Sequence, residues 1–224
     1  MPRALLLIAV LASPLLARAE DGKKTFHFVD LQEQANQKRL DNMGRGFPGS
    51  SLGPLPGGEQ KFGGIQFKVG DGLLQLGSTI LDMKPEKIAG IKVDAKCAKL
   101  HILHATCFGG GPNTVGSPLH VKDGTTIGEY RVTFEDKSTA AIPIVYGQDV
   151  RDWFYVEADA GPDRGKIAWN GENERAKEVG AKIRLFQTEW KNPKPDSKLV
   201  SIDYIGRKTE TPAAPFCVAI SLEE

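Results

Sequence analysis

From residue 62 to the C-terminus the apolar residues fall on every second position, in segment after segment. This period constrains the fold more than any other feature of the chain. Ile65, Phe67 and Val69 alternate with Gln66 and Lys68, and Ile91 and Val93 flank Lys92. Tyr130, Val132 and Phe134 alternate with Arg131 and Thr133, and Ile183 and Leu185 flank Arg184. Val200, Ile202 and Tyr204 repeat the pattern, as do Phe216, Val218, Ile220 and Leu222. Successive side chains of a strand point to opposite faces, so each segment predicts a strand with one buried face. Leu100, Ile102 and Leu103 lie in a longer apolar stretch, Lys99 to Cys107, which predicts a strand buried on both faces. Ile142 to Tyr146 carries Pro143, which cannot donate to a ladder, and so predicts an edge strand or strand end.

Gly, Pro, Asn and Asp separate these segments. Only Glu172 to Lys182 has any helical character, and its polar, Gly-interrupted pattern predicts a loop or one short turn. A parallel α/β fold needs amphipathic helices between its strands, and none is present. The expectation is therefore all-β, with two sheets packed face to face or a jelly roll. A chain of 224 residues is enough for one such domain.

The N-terminal part reads differently. Arg3, the apolar run Ala4 to Leu16, and Ala17-Arg18-Ala19 together predict a secretory signal peptide over residues 1–19. The run is shorter than the roughly 20 residues a spanning helix needs. Secretion, or export to a periplasm, is the expected destination, with no membrane insertion after cleavage. Residues 20–61 predict an N-terminal strand and a long irregular arm belonging to the same domain. Phe47-Pro48-Gly49-Ser50 and Pro54-Leu55-Pro56-Gly57-Gly58 give that arm its turn-rich character. Residues 62–224 form the expected core. Loss of Arg3 and Arg18 moves the formal charge from +1 to about −1. A near-neutral chain with interspersed signs has no basic footprint, which argues against nucleic acid as partner. Cys97, Cys107 and Cys217 leave at least one thiol unpaired in a monomer, and the spacing does not assign a disulfide.

Signals for catalysis are weak. His101 and His104, three apart in a strand, fall on opposite faces and make a poor ligand pair. No Gly-x-Ser-x-Gly elbow occurs, and the glycines after Cys107-Phe108 lack the Lys and Ser/Thr of a phosphate-binding loop. Asp149 and Asp152 are the strongest enzymatic option, since glycosidases use two carboxylates. Arg151 between them points instead to an ion-paired loop. Asp149, Asp152, Asp159 and Asp163 could offer oxygen ligands to calcium, but without EF-hand spacing.

The informative feature is aromatic residues in turns beside polar ones. Trp153, Phe154 and Tyr155 follow the acidic loop, Trp169 precedes Asn170-Gly171, and Trp190 precedes Lys191-Asn192-Pro193. A sugar ring offers C–H faces that stack on aromatic rings and hydroxyls that Asp, Asn and Arg satisfy. The expected ligand-binding residues are Asp149, Arg151, Asp152, Trp153, Tyr155, Trp169, Asn170 and Trp190. Apolar neighbours point Trp153 and Trp169 toward core roles.

Several segments in order carry a resemblance: Phe62 to Val69, Lys99 to Ala105, Ile142 to Trp153, Trp190 to Pro195 and Val200 to Asp203. Over about residues 26–223 the chain resembles the galactose-binding-domain-like β-sandwich modules of secreted bacterial proteins. The resemblance implies a jelly roll of eight or nine strands and non-catalytic carbohydrate recognition. It also implies room for a structural calcium ion away from the ligand site, and no other cofactor. It implies no defined ligand motif. Two alternatives stand beside it. One is a protein–protein or envelope assembly module, with the segment Gln32 to Gly64 ordering on a partner. The other is a hydrolase using Asp149 and Asp152.

Overall fold

The computed structural model describes residues 24–110, 116–117 and 119–224; the expected leader, residues 1–19, lies outside them. The chain is all-β, with antiparallel ladders throughout its two main sheets and, among the described residues, one short α-helix and one 3-10 turn. One sheet has four strands, in the order β6 (Lys87–Ala95), β13 (Leu199–Gly206), β8 (Thr126–Phe134), β9 (Thr139–Val145). The other has eight. Its main path runs β10 (Phe154–Tyr155), β12 (Lys182–Lys191), β7 (Lys99–Cys107), β14 (Ala214–Glu223), β5 (Gly72–Gln75), β2 (Gln37–Lys38). In addition, β1 (Phe26–Phe28) pairs with β14 and β11 (Lys166–Gly171) pairs with β12. A separate hairpin joins β3 (Gly58–Phe62) to β4 (Ile65–Val69).

The pairing is nested. β8 pairs with β9, β7 with β12, β6 with β13 and β5 with β14. The innermost turn lies at residues 135–138, where Lys137 takes φ 67°. One long two-stranded ribbon, folded on itself, distributes its strands between the two sheets in this way.

The sheets meet in a sandwich-like core. Tyr130 of β8 stacks on Tyr204 of β13, ring centroids 4.6 Å apart and nearly parallel, and its hydroxyl lies 3.2 Å from His104 Nδ1 on β7. Val132, Ile202, Ile102 and Phe186 are fully buried beside them. β7 is covered on both faces, as its sequence requires. β14 departs from its alternating pattern: all ten of its residues are buried. It is a central strand whose outer face is covered, so its polar Ser221 and Glu223 lie inside as well. β9 is an edge strand, as Pro143 requires.

The N-terminal segment supplies that outer cover. Ser221 Oγ donates to the Gln66 carbonyl, and Phe26 lies against His101, which is fully buried. Residues 32–61 are not a free arm. Asn36 and Gln75 exchange hydrogen bonds of 2.8 and 2.9 Å, and Arg39 Nη1 donates to Leu55 O at 2.6 Å. Leu52 and Leu55 are fully buried. These contacts are all within the chain, whereas the assembly-module alternative has the segment Gln32 to Gly64 order on a partner. The Glu172 to Lys182 segment forms one short helix, α1 (Glu174–Glu178), capped by Asn173 Oδ1 accepting from Ala176 N. Asn173 Nδ2 reaches back to Ser51 O at 2.9 Å, so the helix pins the arm. Cys97, Cys107 and Cys217 are all buried free thiols. Among the described residues no helix is long and apolar enough to cross a membrane.

Candidate functional site

A cleft of mixed polarity, about 210 Å³, opens between β9 and β12. Ile142, Pro143 and Ile144 form one wall, and Thr188, Glu189, Trp190 and Lys191 the other. The period of β12 places Thr188 and Trp190 on one face with Phe186, which is opposite His104. His104 and Tyr130, both buried, also line the cleft. His104 Nε2 lies 3.1 Å from Thr188 Oγ1, and its other ring nitrogen faces the Tyr130 hydroxyl. Burial pushes the His104 pKa down to about 4, so at neutral pH the ring is uncharged.

Asp149 and Arg164 complete the cleft. Arg164 Nε and Nη2 donate to the two Asp149 carboxylate oxygens at 2.7 and 2.8 Å, and Val145 N donates to the same carboxylate at 2.8 Å. Asp149 is buried while the Arg164 side chain is largely exposed, so the fork fixes an exposed cation over the cleft. The hydrogen bond and charge of Asp149 hold Arg164 more firmly protonated than usual. Gly165 makes the approach possible: a Cβ there would collide with the Asp149 carbonyl. Opposite, Glu189 pairs with Lys99 at 3.0 Å. The cleft therefore offers a half-buried indole and a guanidinium fixed by Asp149, beside an uncharged base.

The eight residues expected from sequence do not form one site. Asp149 and Trp190 line this cleft. Arg151 does not bridge Asp149 and Asp152. It forms a bidentate pair with Asp123 at 2.6 and 3.0 Å and donates to Gly161 O. Asp152 and Trp153 line a different, apolar groove of about 290 Å³. The Asp152 carboxylate accepts from Gly109 N, Gly110 N and Phe154 N, and burial raises its pKa to about 6 against those three donors. Trp153 is 4% exposed and packs edge-on against Phe154 and Phe216, which makes it chiefly a core residue. Tyr155, Trp169 and Asn170 sit on the far half of the larger sheet. Tyr155 OH donates to Asn170 Oδ1 at 3.2 Å, the Arg184 guanidinium lies over the Tyr155 ring at 4.6 Å, and Trp169 packs partly against the core over Gly171.

Asp149 and Asp152, in separate cavities and each with its own donors, are not an apposed catalytic pair. Nor do the loop aspartates converge on a cation. Asp159 Oδ2 accepts from Val156 N, and among the described residues no group of three or more His, Cys, Asp or Glu side chains is arranged to hold a metal ion. Sequence reasoning missed Arg164, Thr188 and Glu189. Thr188 and Trp190 share strand parity, which was available; the Arg164–Asp149 fork depends on loop closure and was not. Compared with protein-family models, curated proteins and solved structures, the chain matches none.

Proposed function

We propose that this chain is a non-catalytic carbohydrate-binding module that seats a sugar ring in the cleft between β9 and β12. The observation that carries the reading is that Trp190 shares that cleft with the Asp149–Arg164 fork. An indole face takes the C–H side of a pyranose, while a fixed guanidinium donates to its hydroxyls. The cleft is concave and mixed in polarity, as small-ligand sites are. Strand order supports the finer reading of the fold. The four-stranded order β6-β13-β8-β9 and the inner order β12-β7-β14-β5 are those expected of a folded ribbon of eight strands, and on that ground we read the fold as a jelly roll. This is also the architecture implied by the galactose-binding-like resemblance, and the expected signal peptide is the reason to propose export.

Affinity electrophoresis of the protein through gels containing neutral and acidic polysaccharides tests the reading. At least one polysaccharide retards the protein, and Trp190→Ala abolishes the retardation without changing the circular dichroism spectrum. Absence of retardation by every polysaccharide, or retardation unchanged by Trp190→Ala, refutes it.

A further inference from the structure

The apolar groove lies apart from the sugar cleft. The arm, the loop after β7, β10 and α1 all contribute to it. Four aromatic rings line it: Phe47, Phe108, Trp153 and Phe154. Two further apolar residues there, Leu119 and Val179, are exposed to 44% and 49%, and Phe47 to 49%. Large apolar side chains left in water around a concavity mark a contact site. Phe108 is held at φ 57°, an uncommon backbone state for a bulky residue, by a loop whose next two amides bind Asp152. Gly109 allows the same loop to turn beneath Tyr146, because a Cβ at 109 would enter that ring.

Asp152 is the acidic group in this aromatic wall. Its donors are three neutral backbone amides, and among the described residues it has no ion-pair partner. Arg184 donates its Nε to the Asp152 carbonyl rather than to the carboxylate. Arg175, the one cation among the described residues lining the groove, is paired with Glu178 at 3.0 Å and lies over the Phe47 ring at 5.9 Å. That ring face therefore already receives a cation. Arg184 acts on the Asp152 charge from a distance without a direct ion pair, and aromatic faces around a cavity with such a carboxylate attract a cation that is weakly hydrated and wrapped in apolar groups.

We propose that the groove binds a quaternary or methylated ammonium group, with the aromatic side chains contacting its methyl groups and Asp152 supplying the opposite charge. The ligand differs in kind from the sugar of the β9–β12 cleft and does not depend on it. Such a group could come from a free small molecule or from a lipid headgroup.

The test titrates the full chain calorimetrically with choline and, separately, with its uncharged isostere 3,3-dimethylbutan-1-ol. Choline binds at least tenfold more tightly than the isostere. Phe47→Ala, at an exposed position, weakens choline at least tenfold, and Asp152→Asn removes the preference for choline over the isostere. Trp190→Ala leaves choline binding unchanged, which separates this site from the sugar cleft. Equal binding of choline and isostere, stronger binding of octanoate than of choline, or no effect of Phe47→Ala would each overturn the proposal. If Asp152→Asn does not fold, Phe47→Ala and the choline–isostere comparison still decide it. Co-sedimentation with phosphatidylcholine vesicles, competed by free choline, assigns the source to a headgroup; choline binding without co-sedimentation assigns it to a free molecule.

Discussion

Replacing His104 with Gln should expose a pH dependence of stability that the native chain conceals. His104 is 1% exposed, and burial lowers its pKa from the usual 6.5 to about 4. The unfolded chain therefore binds the extra proton between those values, so this residue's contribution is full above pH 6.5 and is lost as the pH falls toward 4. Asp152 runs the other way. Burial raises it from the usual 3.8 to about 6, so the folded chain holds the extra proton, and its contribution is present below pH 3.8 and lost as the pH rises through 6. Each shift corresponds to about 3 kcal/mol across its window. Between about pH 4 and pH 6 the two slopes oppose each other and nearly cancel. In His104→Gln nothing from residue 104 opposes the Asp152 slope, while every other group titrates as in the native chain, so stability should fall by about 3 kcal/mol from pH 4 to pH 6 relative to the native profile. Loss of the contacts to Tyr130 and Thr188 adds a constant cost of about 1–2 kcal/mol. Urea unfolding followed by tryptophan fluorescence at half-unit pH steps measures this. Parallel pH profiles for His104→Gln and the native chain would refute the reasoning.

Trp153→Ala should cost about 3–5 kcal/mol in urea unfolding, because the ring is enclosed between Phe154 and Phe216. Leu55→Ala should cost about 2–5 kcal/mol in a single cooperative transition, since its side chain is fully buried; an unchanged midpoint would mean that the arm is not part of the domain. Asp149→Ala should cost about 1–3 kcal/mol by leaving Val145 N without its acceptor. The exposed half of the Arg164 fork adds little to that figure, so Arg164→Ala should shift the midpoint less than Asp149→Ala does.

Much of the sandwich could be read from period alone. Lys99 to Cys107 coincides with β7, and Pro143 marks an edge strand. A buried strand needs a continuous apolar run and an edge strand tolerates a missing donor, so local sequence decides both. β2 and β10 escaped because two residues carry no period. Burial of Leu52 and Leu55 escaped for a related reason. In a Pro/Gly-rich segment the backbone turns, not a repeat, decide which side chains point inward. The candidate sites were harder still. The sequence offered Asp149, Arg151 and Asp152 as one loop, but alternate residues of a tight turn face different ways, and each found its own partner. Asp149 met Arg164, Arg151 met Asp123, and Asp152 met backbone amides. Apolar flanking residues correctly marked Trp153 as core, whereas the polar flanks of Trp190 left it half-buried on the cleft.

The most direct measurement of the central claim is an NMR titration of the protein with the oligosaccharide repeat of whichever polysaccharide retards it most. The account predicts amide shifts concentrated at residues 142–144 and 188–191, with the Trp190 indole N–H among the largest. Shifts confined to Tyr155 and Asn170, or to the groove around Phe47 and Phe108, would contradict it.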